Sequence, residues 1–259
     1  TWSFNLAIGA TLGGVVAAAA GRDAVFVINA LCFLLSAALL RGMRFSEPHT
    51  DGMPPLGARD LVDFTPIMDG VRYIRSDRRV LATVFVKFGM GLMGSNNVVL
   101  PVLGERVFPV RLEGLTPERG AMLGMSLLLG ARGVGSLLGP FVAGAWSGQH
   151  EDRLRLGILF GFLLTAVGYV ALGFSPAAWM AMSAVILAHA GASAVWVFST
   201  TLLQMYTVDK FRGRVFAADV GLLTITISLT SYLAGWLVDA GLSVRAFVTA
   251  TGLLMLLPT

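Results

Sequence analysis

The chain has 259 residues, of which 56% are hydrophobic and only 13% charged, and its mean hydropathy is +0.77; ordinary soluble domains carry about 25% charge. A compact fold of this size in water must spread charge over its outside, so the composition excludes a soluble globular domain and makes lipid the solvent. The net charge is +4, but the cations are scattered rather than gathered into a basic stripe, which argues against a nucleic-acid partner.

A helix that crosses the hydrocarbon core takes about 20 mostly apolar residues. Charge-poor runs predict eight such spans in chain order, at 4–20, 24–42, 80–101, 120–145, 156–174, 177–204, 215–238 and 242–258. The run 156–208 carries no charge and is too long for one helix; Phe174-Ser175-Pro176 breaks it. The fold class is therefore an all-α membrane protein, a polytopic helical bundle. The chain has no initiator Met, basic leader or cleavage-site pattern at Thr1, so it is expected to be a piece of something longer.

Alternate loops of such a bundle lie on opposite sides, and the cations divide unevenly between them. Loops 41–79, 146–155 and 205–214 carry twelve Lys and Arg, the alternating set carries five, and Lys87 and Arg132 fall inside spans. The positive-inside rule puts loop 43–79 in the cytoplasm of a multi-pass protein of the inner (plasma) membrane. That loop is the one long connection. Its first part, with Pro48, Pro54 and Pro55, reads as an irregular linker, and after Pro66 the spacing of Ile67, Val71, Ile74 and Arg78 predicts an amphipathic helix on the cytoplasmic surface. The organisation is two spans in 1–42, a linker with one amphipathic helix in 43–79, and six spans in 80–259.

Lipid offers no hydrophobic drive between helices, so small residues mark where helices touch. Gly9 and Gly13 form one such ridge in the first span, and Gly135 and Gly139 another in the fourth.

Ionisable groups deep in a span cost about 2.5–3.5 kcal/mol and face the bundle interior or a watery cavity. Arg132 lies about 12 residues into its span, roughly 18 Å from the entry and beyond snorkelling reach, which marks it for a substrate cavity or gate or for a structural pair with a carboxylate elsewhere. Lys87 lies about 7 residues in, where a snorkelling lysine and a pathway lysine are equally well placed. Asn97 and its neighbour Asn96 suit helix packing or a solute. In the sixth span His189, Ser193, Trp196, Thr200 and Gln204 fall on one stripe, which is expected to line the bundle interior, as a pathway or as a packed interface. Asp219 is the only carboxylate inside a span; it is expected to bridge to Arg212 and Arg214 at the cytoplasmic end. A proton-carrying midplane carboxylate, if one is used, would lie upstream of Thr1.

No P-loop occurs, and His49, His150 and His189 lack metal-ligand spacing, so no enzyme, metal or cofactor is expected. The single cysteine, Cys32, excludes an intrachain disulfide framework or cysteine-rich zinc site.

Four stretches carry a family resemblance. GATLGG at 9–14 is similar to the antiporter signature of a fifth helix, with Ala10 where the family has proline; FVINALCFLLSAALLRGMR at 26–44 resembles a sixth helix. DGVRYIRSDRRV at 69–80 resembles the lead into a seventh, and KFRGRVFA at 210–217 the turn before an eleventh. Together they resemble the major facilitator superfamily, in its siderophore and macrolide exporter branch, known as transmembrane secretion effectors. The loop GAWSGQHEDR keeps Gly144 and Arg153 of the family's gate motif but has Gly148 at the aspartate. The resemblance implies two six-helix halves joined by a cytoplasmic loop, with helices five to twelve present here and four more upstream as partners. It implies secondary active transport of an amphipathic small molecule, with protons as a possible coupling ion. A non-transporting membrane scaffold or helper subunit is the alternative.

Overall fold

A computed structural model describes residues 2–43, 64–148 and 150–258. The irregular linker predicted between 43 and 63 lies outside them. The described residues form helices and turns without a strand. Helix α1 (Trp2–Ala20) turns into α2 (Arg22–Gly42) at Gly21, whose φ of 86° needs a residue without a side chain. Helix α2 buries none of its residues: Phe26, Phe33 and Leu34 stand outward, as suits a helix surrounded by lipid. Helix α1 instead lies along α6 (Pro117–Ser147), where Gly14 comes so close to Ser126 that a Cβ would collide with it. A Cβ added to Gly9 or Gly13 would meet open space, so this contact runs through Gly14 and the buried Ala18, one position round the helix.

Helix α3 (Thr65–Ser76) starts with Pro66 in its first turn, where the missing N–H costs nothing. It ends before Arg78, because the Asp77 carboxylate accepts from the Arg79 N–H at 2.8 Å and begins a new helix, α4 (Arg78–Gly91). Of its predicted apolar stripe, Ile74 is buried and Ile67 is exposed.

The predicted span 80–101 is helical throughout, but its α winding breaks into tighter and wider turns. Helix α4 is followed by a 3₁₀ turn (Leu92–Ser95), helix α5 (Asn96–Val102) and a π turn (Leu103–Val107). The cause lies in the neighbouring α9 (Asp209–Asp239), which approaches until a Cβ on Gly91 would sit 2.5 Å from the Thr226 Cβ and one on Gly94 2.6 Å from the Ile227 Cα. Carbonyls loosened by the break are satisfied from α9: Thr230 donates to the Gly91 oxygen at 2.9 Å and Ser231 to the Gly94 oxygen at 2.7 Å. A break of this kind survives in lipid only when neighbouring groups complete the backbone hydrogen bonds. Pro101, which has no N–H to offer, adjoins the second irregularity.

The remaining helices are α7 (Glu151–Phe174), α8 (Ala178–Tyr206) and α10 (Val244–Leu254). Helices α7 and α9 start a turn or more before the predicted apolar runs, because polar residues extend a helix past the hydrocarbon, whereas α10 is shorter than the predicted span 242–258; Glu151 and Asp152 suit the positive dipole end of α7. Among the described residues five helices, α2, α6, α7, α8 and α9, are long and apolar enough to cross a membrane, and α10 is a shorter apolar helix. The chain is thus an all-helical bundle of multi-pass membrane type.

The core sits where α8 is held by α6 and α7. A Cβ on Gly135 or Gly139 would strike the carbonyls of Ile186 or Ala190, and Gly161 and Gly191 face each other with a Cβ on either reaching the other's carbonyl. Phe162, Tyr169, Leu128 and Val195 fill the space between these contacts.

Side-chain contacts sort the turns into two ends. At one, the Tyr73 hydroxyl accepts from the Val208 N–H at 3.2 Å and donates to the Tyr206 carbonyl at 3.3 Å, while its ring stacks on Phe211 at 4.5 Å. The Tyr206 hydroxyl meets Glu151 and Arg155 at the same end. At the other, Arg245 donates to the carbonyls of Gly173 (3.1 Å) and Ser175 (2.6 Å) and stands over the Phe108 ring. The end that gathers α3, the α6–α7 turn and the α8–α9 turn holds Arg78, Arg79, Arg153, Arg155, Arg212 and Arg214, and is called the basic end below.

Candidate functional site: two polar clusters inside the bundle

Helices α4, α8 and α9 converge on Lys87, whose side chain is 1% exposed. Its ammonium donates to the Thr200 hydroxyl at 3.0 Å, stands 3.6 Å from the centroid of the Trp196 ring and lies 3.9 Å from Oδ2 of Asp219. An ammonium over an indole face is the strongest of the common cation–π pairs, and removal of water strengthens it. Asp219 is 2% exposed, and its Oδ1 is buried with no hydrogen-bond partner among the described residues. Toward the basic end the cluster rests on an apolar floor of Val80, Val84, Leu203 and Val215, with Ile74 of α3 packed against it.

This arrangement decides between the two placements open to Lys87 and corrects one expectation. Lys87 does not send its ammonium toward the interface: its stem crosses inward, because the acid that partners it lies on α9. Asp219 does not bridge to the basic turn. Arg212 bonds Asp209 at 2.7 Å and Arg214 reaches Asp69 of α3 at 3.8 Å. Seven residues, about 10 Å of helix, separate Arg212 from Asp219, and nearer acids take both arginines.

The second cluster lies deeper. Arg132 of α6 donates to Oδ1 of Asn97 at 3.2 Å, tying the helix to α5. Its charge also reaches Tyr169 of α7 and His189 of α8, whose hydroxyl and Nε2 are 3.3 Å apart and whose residues are both buried. Asn96 is buried beside them with Oδ1 unpartnered among the described residues, whereas Asn97 is exposed. The guanidinium therefore joins a closed interior to an open surface.

The polar stripe on α8 is divided between these clusters. His189 faces Tyr169, Ser193 bonds back to the Ala190 carbonyl at 3.1 Å against Gly139, and Trp196 and Thr200 hold Lys87. Gln204 is exposed near the basic end and belongs to neither cluster. Tyr169 was not singled out in the sequence, although a hydroxyl in the middle of an otherwise apolar α7 is the same kind of signal that marks His189.

The groups present can hydrogen-bond or pair with a polar, charged or aromatic solute. No cluster of His, Cys, Asp and Glu able to hold a metal occurs among the described residues. No family model, curated protein or solved structure matches the chain.

Proposed function

We propose that the chain belongs to a secondary active transporter of the major facilitator type, an inner-membrane protein that exports an amphipathic small molecule by alternating access. In this reading eight segments cross the bilayer, loop 43–79 is cytoplasmic, residues 1–42 close the first half-bundle and 80–259 form the second. The carrying observation is the Arg132 cluster: a guanidinium near the middle of α6 bonded to an exposed asparagine and within reach of a buried Tyr–His pair. Charges inside a membrane bundle are expensive and are kept where they meet a solute, an ion or a moving partner.

Two further features support it. The 3₁₀ turn set within the α4–α5 rod is the kind of mid-helix irregularity that often marks a functional hinge. The Lys87–Asp219 pair, above its apolar floor, acts as the closed cytoplasmic gate, with α3 clasped beneath it by Tyr73 and by the Arg214–Asp69 pair.

The test is flux. The full-length protein in proteoliposomes, offered a panel of amphipathic solutes with and without a proton gradient, moves at least one of them, and Arg132→Gln or His189→Gln lowers that flux at least tenfold while the helical fold persists. A protein that moves none under either condition, or whose variants transport unchanged, contradicts the reading and leaves a membrane scaffold.

A further inference from the structure

Helices α6 and α7 follow one another along the chain, yet beyond their joining turn each packs along α8 rather than against the other. Between them a cleft of about 520 Å³ stays open to the side. One wall is Leu138, Val142 and Trp146 of α6, four residues apart and so on one stripe; the other is Phe160 and Leu164 of α7, and Ala194 of α8 belongs to the floor. The five wall side chains are exposed. In water such a surface would be a liability; in a membrane-spanning bundle it faces hydrocarbon.

Three observations say what fills it. The stripe from Leu138 to Trp146 spans eight residues, about 12 Å along the helix, close to one leaflet of a hydrocarbon core about 30 Å thick. It starts near the middle of α6 and ends at the basic end, so it runs along one leaflet from midplane to headgroups. At its outer end Arg153 donates through Nη1 to the Trp146 carbonyl, and it makes no ion pair among the described residues, because the neighbouring Glu151 is held by Arg155 and Tyr206. Tryptophan and arginine together at the mouth of an apolar groove are the pair that anchors at headgroup depth. Helix α1 lies along α6 and meets Ser126 through Gly14, and none of its residues lines the cleft.

From these we infer that the α6–α7 cleft is a binding site for one anionic phospholipid, its acyl chain lying in the groove and its phosphate on Arg153. Anionic lipid is enriched in the leaflet that faces basic loops, and cations near that surface attract it. The site is independent of the polar clusters and of whether the protein transports.

The test is lipid retention. Full-length protein is equilibrated in vesicles of equal phosphatidylglycerol and phosphatidylcholine, extracted, and its retained lipids counted by native mass spectrometry. The wild-type chain keeps phosphatidylglycerol over phosphatidylcholine. Ala143→Trp, which fills the cleft, releases both; if that variant misfolds, Val142→Trp on the exposed wall serves instead. Arg153→Gln keeps a lipid but lowers the preference for phosphatidylglycerol about fivefold. The inference is overturned if the filled variants retain lipid as the wild type does, if Arg153→Gln leaves the preference unchanged, or if a second copy of the chain covers the cleft and is released by the filling substitution. Flux of solute, read on the same samples, separates this result from the transport reading.

Discussion

Lys87 and Arg132 are the two cations set deep within the predicted membrane spans, and their surroundings differ. Lys87 is enclosed: three helices close round its ammonium, a carboxylate pairs with it, the face of the exposed Trp196 ring covers it, and an apolar floor lies toward the basic end. Arg132 is bonded to an asparagine that faces outward. A buried ion pair holds elements together, whereas a guanidinium bonded to an exposed side chain lies near a surface that something arriving can reach. In the proposed reading the first cluster serves closure and the second recognition.

The sharpest way to break the comparison is to unpair the enclosed cation. Asp219→Ala leaves Lys87 buried without its acid and lowers stability by about 3–5 kcal/mol in thermal unfolding, while Lys87→Met with Asp219→Leu recovers most of the loss. Equal losses in the single and double variants would show that the pair is incidental. The framework of both clusters depends on α8 touching α6, so Gly139→Leu, whose Cβ would lie 2.1 Å from the Ala190 carbonyl, costs about 1–3 kcal/mol by the same measurement. Tyr73→Phe removes two hydrogen bonds beneath the enclosed cluster; amide exchange at the α8–α9 turn then quickens by an amount equivalent to about 1–2 kcal/mol, with the core unchanged. Thr230→Val, which unties the Gly91 carbonyl, has the smallest effect, about 0.6 kcal/mol, the usual worth of an interhelical hydrogen bond in lipid.

What could be read from the sequence followed from local chemistry. Proline at 176 and the charge-free runs located the breaks between long helices, and α7 ends at Phe174 as the run did. The rupture after Gly91 was not legible, because isolated glycines in an apolar run read as packing; only the arrival of Thr226 and Ile227 at their faces makes them a break. Lys87, Arg132 and His189 stood out because charge and imidazole are rare in lipid. Their partners did not, since nothing local says that α4 lies beside α9 or α5 beside α6. Asp219 was assigned to the nearest cations in sequence, and the fold gave it a more distant one.

The central claim of the proposed reading is that water reaches the Asn97 face beside Arg132 while the Lys87 side is shut. Cys32 is the single cysteine of this chain; with Cys32→Ser, and any cysteine elsewhere in the full-length protein likewise replaced, each position can be probed with a charged, membrane-impermeant thiol reagent in vesicles. The account predicts that Asn97→Cys reacts and that solute slows it, and that Ser199→Cys, which is fully buried beside Thr200, does not react. Failure of Asn97→Cys to react from either side of the membrane would contradict it.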